Sequence, residues 1–219
     1  MAPRHVYTYV CLECIAELPE FDRKVLDVLR EPLESGQVTI SRAARQVDYP
    51  AKFQLIAALN PSPCGHYNDD KMRSTPDQIL RYLNKLSGPF LDRIDLQIEV
   101  SRLAKGALSQ NQDRGEPSQL IRERVIKAQT LQNKRQNKLN SELSNRELDL
   151  YCPLSQLDAD FLETAIDKLG LSIRAYHRIL KVARTIADLK EEIQISRTHL
   201  AQALGYRAMD RLLQSLHRH

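Results

Sequence analysis

The chain has 219 residues, of which 42% are hydrophobic and 5% aromatic, and a formal net charge of +4. This is enough apolar material for one large domain or two small ones, whereas the absence of tryptophan argues against an aromatic platform for single-stranded nucleic acid. The chain contains no run of 18 apolar residues that could span a membrane, and the N-terminus lacks a signal-peptide pattern. Because the four cysteines are few and scattered, we expect a reduced, cytoplasmic protein.

The chain up to about residue 100 has the mixed pattern of an α/β domain. Residues 22–30 are charged and apolar at helical spacing, which predicts a helix, and Pro32 is expected to stop it. Gly36 then marks a turn. The first segment of this domain is therefore predicted to be a short helix that leads into β structure.

A hairpin with a basic tip is predicted next. Residues 38–40 and 47–49 are two short β-prone runs, and Arg42 and Arg45 lie between them. Arginines at such a tip suit contacts with nucleic-acid phosphates, which give affinity without reading the base sequence. An ordinary solvated turn accounts for the same residues, and the sequence leaves this choice open.

The most informative run follows the hairpin. Residues 53–59 form an apolar run with no polar alternation beyond Gln54, which predicts a buried strand covered on both faces, as in a parallel sheet. The run ends abruptly in Asn60 and Pro61. An amide side chain is therefore expected to project from the edge of the sheet.

A helix and a second polar marker follow the loop after this strand. Thr75 precedes a proline and, at the third helical position, a glutamine, which is the pattern of a capped helix start. Gly88 is expected to close that helix. An arginine then lies between two aspartates in an apolar setting at 92–95, and residues 96–100 alternate as in a half-exposed strand.

The second half of the chain changes character. Residues 101–119 are rich in glycine, serine, glutamine and asparagine and are interpreted as a linker. After it we predict an all-α bundle, with helices that begin at Ser144, Ser155, Ser172 and Ser196, and with Gly170 closing the second of these. The resulting organisation is a domain at 1–100, a linker at 101–119 and a helical domain at 120–219.

The first helix of this bundle is strongly basic. Between residues 121 and 139, six lysines and arginines face a single glutamate. It is a second candidate surface for DNA, although basic helix faces are usually only solvated. The spacing of Cys11 and Cys14 is that of a metal-ligand pair, but a zinc site needs four ligands, and we predict no metal site.

In this order, the features resemble the magnesium-chelatase-like branch of the AAA+ ATPases, and its competence proteins most closely. The matching stretches are 32–34, 38–43, 49–51, 60–63, 81–96 and 169–189. The resemblance covers about 17–213, and it is specific because of the combined order, since each motif alone is weak. It implies part of an AAA+ P-loop NTPase core, with a parallel sheet and a hairpin insertion, followed by a helical lid bundle.

The resemblance implies nucleotide-reading roles at the strand ends. Glu17 takes the place of the Walker B glutamate, which orients the attacking water, although Ala16 stands where the family has a magnesium-binding aspartate. Asn60 takes the place of sensor 1, whose amide reads the γ-phosphate. The implied cofactors are ATP and Mg²⁺.

Three further roles come from the same resemblance. Arg93 takes the place of the arginine finger, which acts across a subunit interface, with Asp92 and Asp95 as candidates to orient it. Arg174 takes the place of sensor 2, which reaches back from the lid. In helicase-like members, a hairpin at the position of Arg42 and Arg45 points into the ring channel and contacts the DNA backbone.

Each role has a plainer alternative when its residue is taken alone. Asn60 can cap a turn before proline, Arg93 can form an ordinary surface ion pair, and Arg174 can be a solvated residue in a first helical turn. Glu17 can be an acidic turn residue. Their joint occurrence in family order favours the functional interpretation for all of them except Glu17, whose surroundings differ from the family pattern.

No phosphate-binding loop accompanies these residues. None of the seven glycines belongs to a G-x-x-x-x-G-K-[ST] pattern, and residues 1–16 do not resemble the family. Our hypothesis is a truncated product whose first residues arise from a shifted or alternative start. We therefore expect no ATP hydrolysis by this chain alone.

The resemblance implies the C-terminal portion of a ring-forming, hexameric, ATP-dependent DNA motor. Such motors act as helicases that move DNA branches during natural transformation and recombination. The expected partners are DNA and, in a ring, the chain itself or a full-length relative. Two alternatives stay open: an ATPase-inactive module that binds DNA or a partner, and a non-functional remnant with open sheet edges. The magnesium-insertion subunit of pigment synthesis is disfavoured, because the match from Arg81 onward is closer to competence proteins.

Overall fold

The computed structural model describes residues 11–42, 45–67, 72–101 and 115–217. The chain divides into two compact units, one up to Ile94, which the final residues from Ser215 join, and one from Asp95 to Gln214. No helix within the described ranges is both long and apolar enough to cross a membrane. The predicted linker lies mostly at 102–114, outside the described residues.

The first unit combines short helices with two separate pairs of strands. Its elements are β1 (Cys11–Ile15), a 3₁₀ turn (Leu18–Glu20), α1 (Arg23–Val28), α2 (Arg30–Ser35), β2 (Gln37–Arg42), β3 (Arg45–Pro50), β4 (Phe53–Ala57), α3 (Pro76–Leu83) and α4 (Gly88–Leu91). The strands pair as β1 with β4 and as β2 with β3. An α/β pattern with a parallel sheet and a hairpin was predicted, and the structure confirms these features.

The parallel pair differs from the prediction in two respects. Strand β1 pairs with β4 in register from Cys11 opposite Phe53 to Ile15 opposite Ala57, whereas the sequence pattern around the cysteines did not predict a strand. Strand β4 was expected to be covered on both faces, but Ile56 is 48% exposed. That expectation is wrong for the described residues, because they leave the face of β4 that carries Gln54 and Ile56 exposed to solvent.

Near α1 and α2, Pro32 has a different effect from the one expected, whereas Gly36 has the expected effect. Pro32 was predicted to end the helix, yet it lies in the first turn of α2, where the missing backbone N–H has no intrahelical partner to lose. Gly36 ends α2 with a φ of 68°, a left-handed conformation that glycine adopts without strain. The prediction for Pro32 is therefore wrong, and the turn at Gly36 is confirmed.

Helix α3 begins as predicted but ends earlier. The Thr75 hydroxyl accepts a hydrogen bond from the backbone N–H of Gln78, and the Gln78 side chain accepts one from the N–H of Thr75. The helix ends at Leu83, and Gly88 begins α4 rather than closing α3. The buried apolar side chains of this unit include Leu18, Leu26, Ile79, Leu83, Leu86, Phe90 and Leu91.

The second unit is helical, as predicted. Its elements are α5 (Ser118–Gln136), a 3₁₀ turn (Asn140–Glu142), α6 (Asn145–Tyr151), α7 (Gln156–Leu169), α8 (Ile173–Leu189), α9 (Arg197–Gly205) and α10 (Ala208–Leu216). The predicted caps at Ser144, Ser155, Ser172 and Ser196 each precede a helix, and Gly170 ends α7 with a φ of 61°. Helix α10 was not predicted.

The segment after Asp95 belongs to this helical unit and is not the predicted half-exposed strand. Gln97 alone forms a bridge, with its backbone N–H donating to Tyr206 at 2.7 Å and its carbonyl accepting from Ala208 at 3.3 Å. Val100 is 88% exposed. The alternation of residues 96–100 therefore predicted the wrong structure, because one bridge, and not a ladder, fixes this segment.

A buried carboxylate joins three elements of the second unit. Asp188, which is 2% exposed, accepts hydrogen bonds from both terminal nitrogens of Arg135 on α5, at 2.7 and 2.9 Å. It also accepts from Asn140 in the 3₁₀ turn at 2.8 Å and from Arg184 on α8 at 3.1 Å. Arg184, itself 2% exposed, donates to the carbonyls of Ile193 and Glu192, so the network reaches the loop after α8.

The ionisation of Asp188 follows from these contacts. Burial alone would raise its pKa, but hydrogen bonds from Arg135 and Asn140 and the charges of Arg184 and Arg135 hold the pKa below its ordinary value. A carboxyl whose pKa is lower in the folded state stabilises the fold at pH values above its unfolded pKa. This contribution is lost as the pH falls through the folded value.

We expect the substitution Asp188→Asn to lower the free energy of unfolding of the second unit by about 3 kcal/mol, because it leaves the buried Arg184 and the partly buried Arg135 without their countercharge. The loss of stability of the unmodified protein in acid should also become shallower in this variant. Urea unfolding followed by circular dichroism between neutral and acidic pH measures both effects. The exposed carboxylate variant Asp149→Asn is the control, and equal stability of the two variants would contradict the role of Asp188.

Candidate functional site

Two of the predicted site residues lie at one edge of the parallel strand pair. Strands β1 and β4 run in the same direction, so their carboxyl ends meet, and Glu17 and Asn60 follow those two ends. Backbone bonds continue the pairing past β1, with Ala58 N–H donating to Ile15 at 2.9 Å and Leu18 N–H donating to Ala58 at 3.1 Å. Both Glu17 and Asn60 are exposed.

The backbone at Glu17 is unusual. Its φ of 56° and ψ of 50° are left-handed, a conformation that is uncommon for residues other than glycine, asparagine and aspartate. Non-glycine residues in this region cost free energy and are concentrated at functional sites. In open α/β sheets, ligands bind outside the carboxyl ends of the strands, so this edge is the candidate ligand site of the first unit.

The side chains at this edge suit contact with a terminal phosphate group better than the binding of a whole nucleotide with its metal ion. A carboxylate at Glu17 and an amide at Asn60 can orient a water and contact a phosphate oxygen. Ala16 removes the second carboxylate, and no group of three or more metal-ligating side chains occurs within the described ranges. We therefore derive no hydrolytic step through ATP or Mg²⁺ for this chain.

Arg93 is buried and engaged at every guanidinium nitrogen. It is 8% exposed, and its Nε donates to the carbonyl of Arg30 at 2.9 Å, while Nη1 donates to the carbonyl of Pro89 at 2.5 Å. Its Nη2 forms an ion pair with Glu34. Arg93 thus connects α2 to α4, and in this conformation it does not extend toward solvent as an arginine finger does.

Asp95 has a different partner from the one expected. Glu34 forms an ion pair with Arg93. Asp95 instead accepts a hydrogen bond from Nη1 of Arg178 on α8 at 2.6 Å. The expectation that Asp95 orients Arg93 is therefore corrected.

Arg174 belongs to the first turn of α8, one helical turn before Arg178. It is exposed, and Ser172 caps the helix by accepting from Ala175 N–H at 3.2 Å. Because Arg174 belongs to the second unit, it is described apart from Glu17, Asn60 and Arg93. Its proposed role as sensor 2 remains a prediction.

The predicted basic hairpin is present. Strands β2 and β3 pair antiparallel, with Gln37 opposite Pro50 at the base and Arg42 opposite Arg45 next to the tip. Thr39 donates from its hydroxyl to Asp48 at 2.7 Å across the pair. All residues of β3 are exposed, so this element is available to a partner along its whole length, and Arg45 is exposed among them.

The loop after Asn60 contains a thiol with a shifted pKa. Hydrogen bonding with Ser62 and Ser74, and with the backbone at Arg73 and His66, lowers the pKa of Cys64 to about 6. The Ser62 hydroxyl lies 3.0 Å from Cys64 Sγ and is itself buried. Cys152, by contrast, has its pKa raised to about 11, chiefly by burial. No sequence pattern indicates this difference between the two thiols, since the placement of the hydroxyl groups depends on the folded loop.

The chain matches two models of one family. The model described as magnesium chelatase, subunit ChlI, matches residues 12–108, and the model of the ChlI C-terminal part matches residues 115–207. Together they cover most of both units.

Curated relatives give the same picture. Competence protein ComM of Haemophilus influenzae is 60% identical over 91% of this chain and 39% of its own length. A protein described as YifB of Salmonella typhimurium is 57% identical over 90% of this chain and 39% of its own length, and Rv2897c of Mycobacterium tuberculosis is 36% identical over 87% and 38%. The chain thus spans about 39% of the length of the first of these relatives.

We expect Arg93→Ala to lower the free energy of unfolding of the first unit by about 2 to 3 kcal/mol, because three charged hydrogen bonds between α2 and α4 are lost. Thermal unfolding and limited proteolysis of the isolated chain measure this loss. A residue that acted only on a neighbouring subunit would leave the isolated chain unchanged. The variant Arg81→Ala, on an exposed position of α3, is the control.

We expect Cys64 to be alkylated by iodoacetamide with a pH midpoint near 6, because its thiolate is stabilised by the neighbouring hydroxyls. Ser62→Ala should move the midpoint upward. Mass spectrometry of the digested protein separates Cys64 from the other thiols, and the buried Cys152 should react slowly. A midpoint at the ordinary thiol value would contradict the described loop geometry.

Proposed function

The chain belongs to the magnesium chelatase ChlI family, and from this membership we propose that it is the sensor, hairpin and lid portion of a ComM-like, ATP-dependent DNA motor. In this proposal it assembles into a ring, with itself or with a full-length relative, and acts on DNA during natural transformation and recombination. The competence role comes from the printed name of the Haemophilus relative. Because the chain spans only part of that relative, the whole protein's activity remains a proposal.

One observation carries this proposal. The parallel pairing of β1 with β4 brings Glu17 and Asn60 to the same carboxyl edge, and that edge is where ligands bind in open α/β sheets. Glu17 and Asn60 are more than forty positions apart in the sequence and follow strands that end at the same edge. Two residues that contact the same phosphate need such a placement. In the proposal, Asn60 contacts the terminal phosphate, and Glu17 orients water near it.

The nucleotide itself would be bound largely by other groups. The 219 residues include no G-x-x-x-x-G-K-[ST] pattern, and a single carboxylate at the strand edge does not make a magnesium site. The proposal therefore gives this chain the reading residues Glu17, Asn60 and Arg174, and leaves phosphate binding to a region outside it. Arg93 would act as a finger only after releasing the contacts with Arg30, Pro89 and Glu34.

The second part of the proposal concerns DNA. The hairpin brings Arg42 and Arg45 opposite each other next to the tip, and the fully exposed strand β3 begins at Arg45. Two guanidinium groups at the end of an exposed arm suit contacts with two backbone phosphates. Such contacts give affinity for DNA of any sequence, as a motor that moves along DNA requires.

A second candidate is an ATPase-inactive module that binds DNA or a complete relative. The engagement of all Arg93 nitrogens within the first unit favours it, because an arginine that stabilises its own fold is not free for a neighbour's nucleotide. Both candidates include DNA binding by the hairpin. They differ in whether addition of this chain changes the ATPase rate of a full-length relative, and whether Arg93→Lys removes that change.

We expect the double variant Arg42→Ala/Arg45→Ala to bind duplex DNA roughly tenfold or more weakly at 0.1 M salt, because two phosphate contacts are lost. The slope of log affinity against log salt should fall by about two, since each contact contributes about 0.9. Fluorescence anisotropy with a labelled duplex, measured over a series of salt concentrations, gives both quantities.

The matched control is Lys24→Ala/Lys190→Ala, which removes the same charge from exposed positions elsewhere. Unchanged binding by the hairpin variant would contradict the hairpin assignment. No binding by the unmodified protein, even at low salt, would contradict the DNA partner itself.

A further inference from the structure

The N-terminal half of α5 is exposed on all sides. Every described residue from Gly115 to Lys127 is exposed, and burial begins only at Ala128. A helix of 19 residues is about 28 Å long, so roughly half of that length lies beyond the part of α5 that packs against α8. Arg135 and the buried Gln132 and Gln136 belong to the packed half.

This exposed half carries four large apolar side chains. Leu120, Ile121, Val125 and Ile126 are between 40% and 53% exposed. Ile121 and Val125 are spaced to continue the same helical stripe as Ala128 and Gln132, the residues that are buried farther along. The face of α5 that packs against α8 therefore continues beyond that contact as an exposed apolar surface. Such a surface is typical of a protein contact site.

Cations flank this stripe. Arg122 borders it on one side and Arg124 on the other, as the helical spacing requires. Arg124 also donates two hydrogen bonds of 2.7 and 2.8 Å to Glu116. The surface thus combines an apolar centre with positive edges. A complementary partner needs exposed apolar groups beside carboxylates.

The outer face of α7 in the same unit has that complementary composition. Asp160, Glu163 and Asp167 follow one another at helical spacing on the exposed side, and Leu157, 73% exposed, lies on the same side at the start of the helix. Like charges at this spacing destabilise an isolated helix. Glu163 and Asp167 form no ion pair within the described ranges, so a cationic partner would offset this repulsion.

We propose that the exposed half of α5 in one copy of this chain docks against the outer face of α7 in a second copy. Ile121 and Val125 would pack near Leu157, and Arg122 and Arg124 would pair with the carboxylates of α7. The inference rests on the proposed self-assembly and names the surfaces that produce it.

The geometry of such a contact determines the kind of assembly. The two surfaces, on α5 and on α7, are different patches of the same molecule, so the contact is heterologous, with each copy using one patch for each neighbour. Heterologous contacts close into a ring when the rotation between copies allows it. A two-fold dimer, which uses one patch twice, is not expected.

The apolar residues favour a protein over DNA as the occupant of α5. DNA contacts outside the grooves are made mainly by charged and polar side chains and by backbone N–H groups. The exposed aliphatic side chains of Ile121 and Val125 would gain little from a phosphate backbone. They gain free energy when another apolar surface covers them.

Charge reversal on each surface tests the proposal. The variant Arg122→Glu/Arg124→Glu places acids against acids, and Asp160→Lys/Glu163→Lys places bases against bases. Each should weaken self-association of the complete chain roughly a hundredfold, because like-charge contacts cost several kcal/mol. Sedimentation velocity over a range of protein concentrations measures the association, and circular dichroism checks that the exposed substitutions leave the fold unchanged.

Mixing the two reversed variants in equal amounts should restore association in an alternating arrangement. The acidic α5 of one variant then meets the basic α7 of the other, and the unchanged basic α5 of the second meets the unchanged acidic α7 of the first. The control Lys24→Glu/Arg146→Glu makes the same change in net charge at exposed positions outside both surfaces. Ile121→Ser/Val125→Ser should weaken association without changing the charge.

The outcomes separate this inference from the proposed function. Association of the unmodified chain that neither reversal affects would overturn the α5–α7 contact and leave self-assembly standing. A chain that stays monomeric at every concentration would overturn both, while DNA binding by the hairpin is measured independently. Loss of DNA affinity without loss of association in the α5 variant would assign the helix to DNA and overturn the protein contact.

Discussion

The geometry of the second unit depends on one buried carboxylate. Asp188 near the end of α8 is bound by Arg135 from α5, by Asn140 from the 3₁₀ turn and by Arg184 from its own helix. Because buried charges are stable only when paired and hydrogen-bonded, this arrangement fixes the direction in which α5 leaves α8. The positions of the exposed basic half of α5 and of the end of α8 that carries Arg174 thus both depend on the buried network around Asp188.

A comparable fixed point in the first unit is Arg93. Its three contacts join the end of α2 to α4, so the residue that family resemblance connects with catalysis is here part of the fold. The two roles are compatible in a protein that changes conformation on assembly, since an ion pair with the half-exposed Glu34 can be exchanged for one with a phosphate. That exchange would cost the unit part of its stability.

Local features were predictable from the sequence, and distant partners were not. Caps such as Thr75 with Gln78, or Ser172 before α8, depend on residues three positions apart, and the hairpin and β4 follow from short apolar runs. The pairing of Arg93 with Glu34, and of Asp95 with Arg178, joins residues 59 and 83 positions apart, which no local pattern indicates. The errors at Pro32, Gly88 and residues 96–100 have the same origin. In each case the local sequence pattern allows more than one structure, and contacts with distant residues determine which one forms.

The hairpin has a mechanical consequence. Six paired residues in each strand make an arm about 20 Å long, and its base follows directly on α2, where Gly36 accepts a hydrogen bond from Ala51 at 2.8 Å. A rotation of roughly 5° at that base displaces the tip by about 2 Å over an arm of this length. The Arg93 contacts with α2 therefore hold the direction of the hairpin. In the proposed function, a rotation of this size at the base is enough to shift Arg42 and Arg45 along a bound DNA backbone.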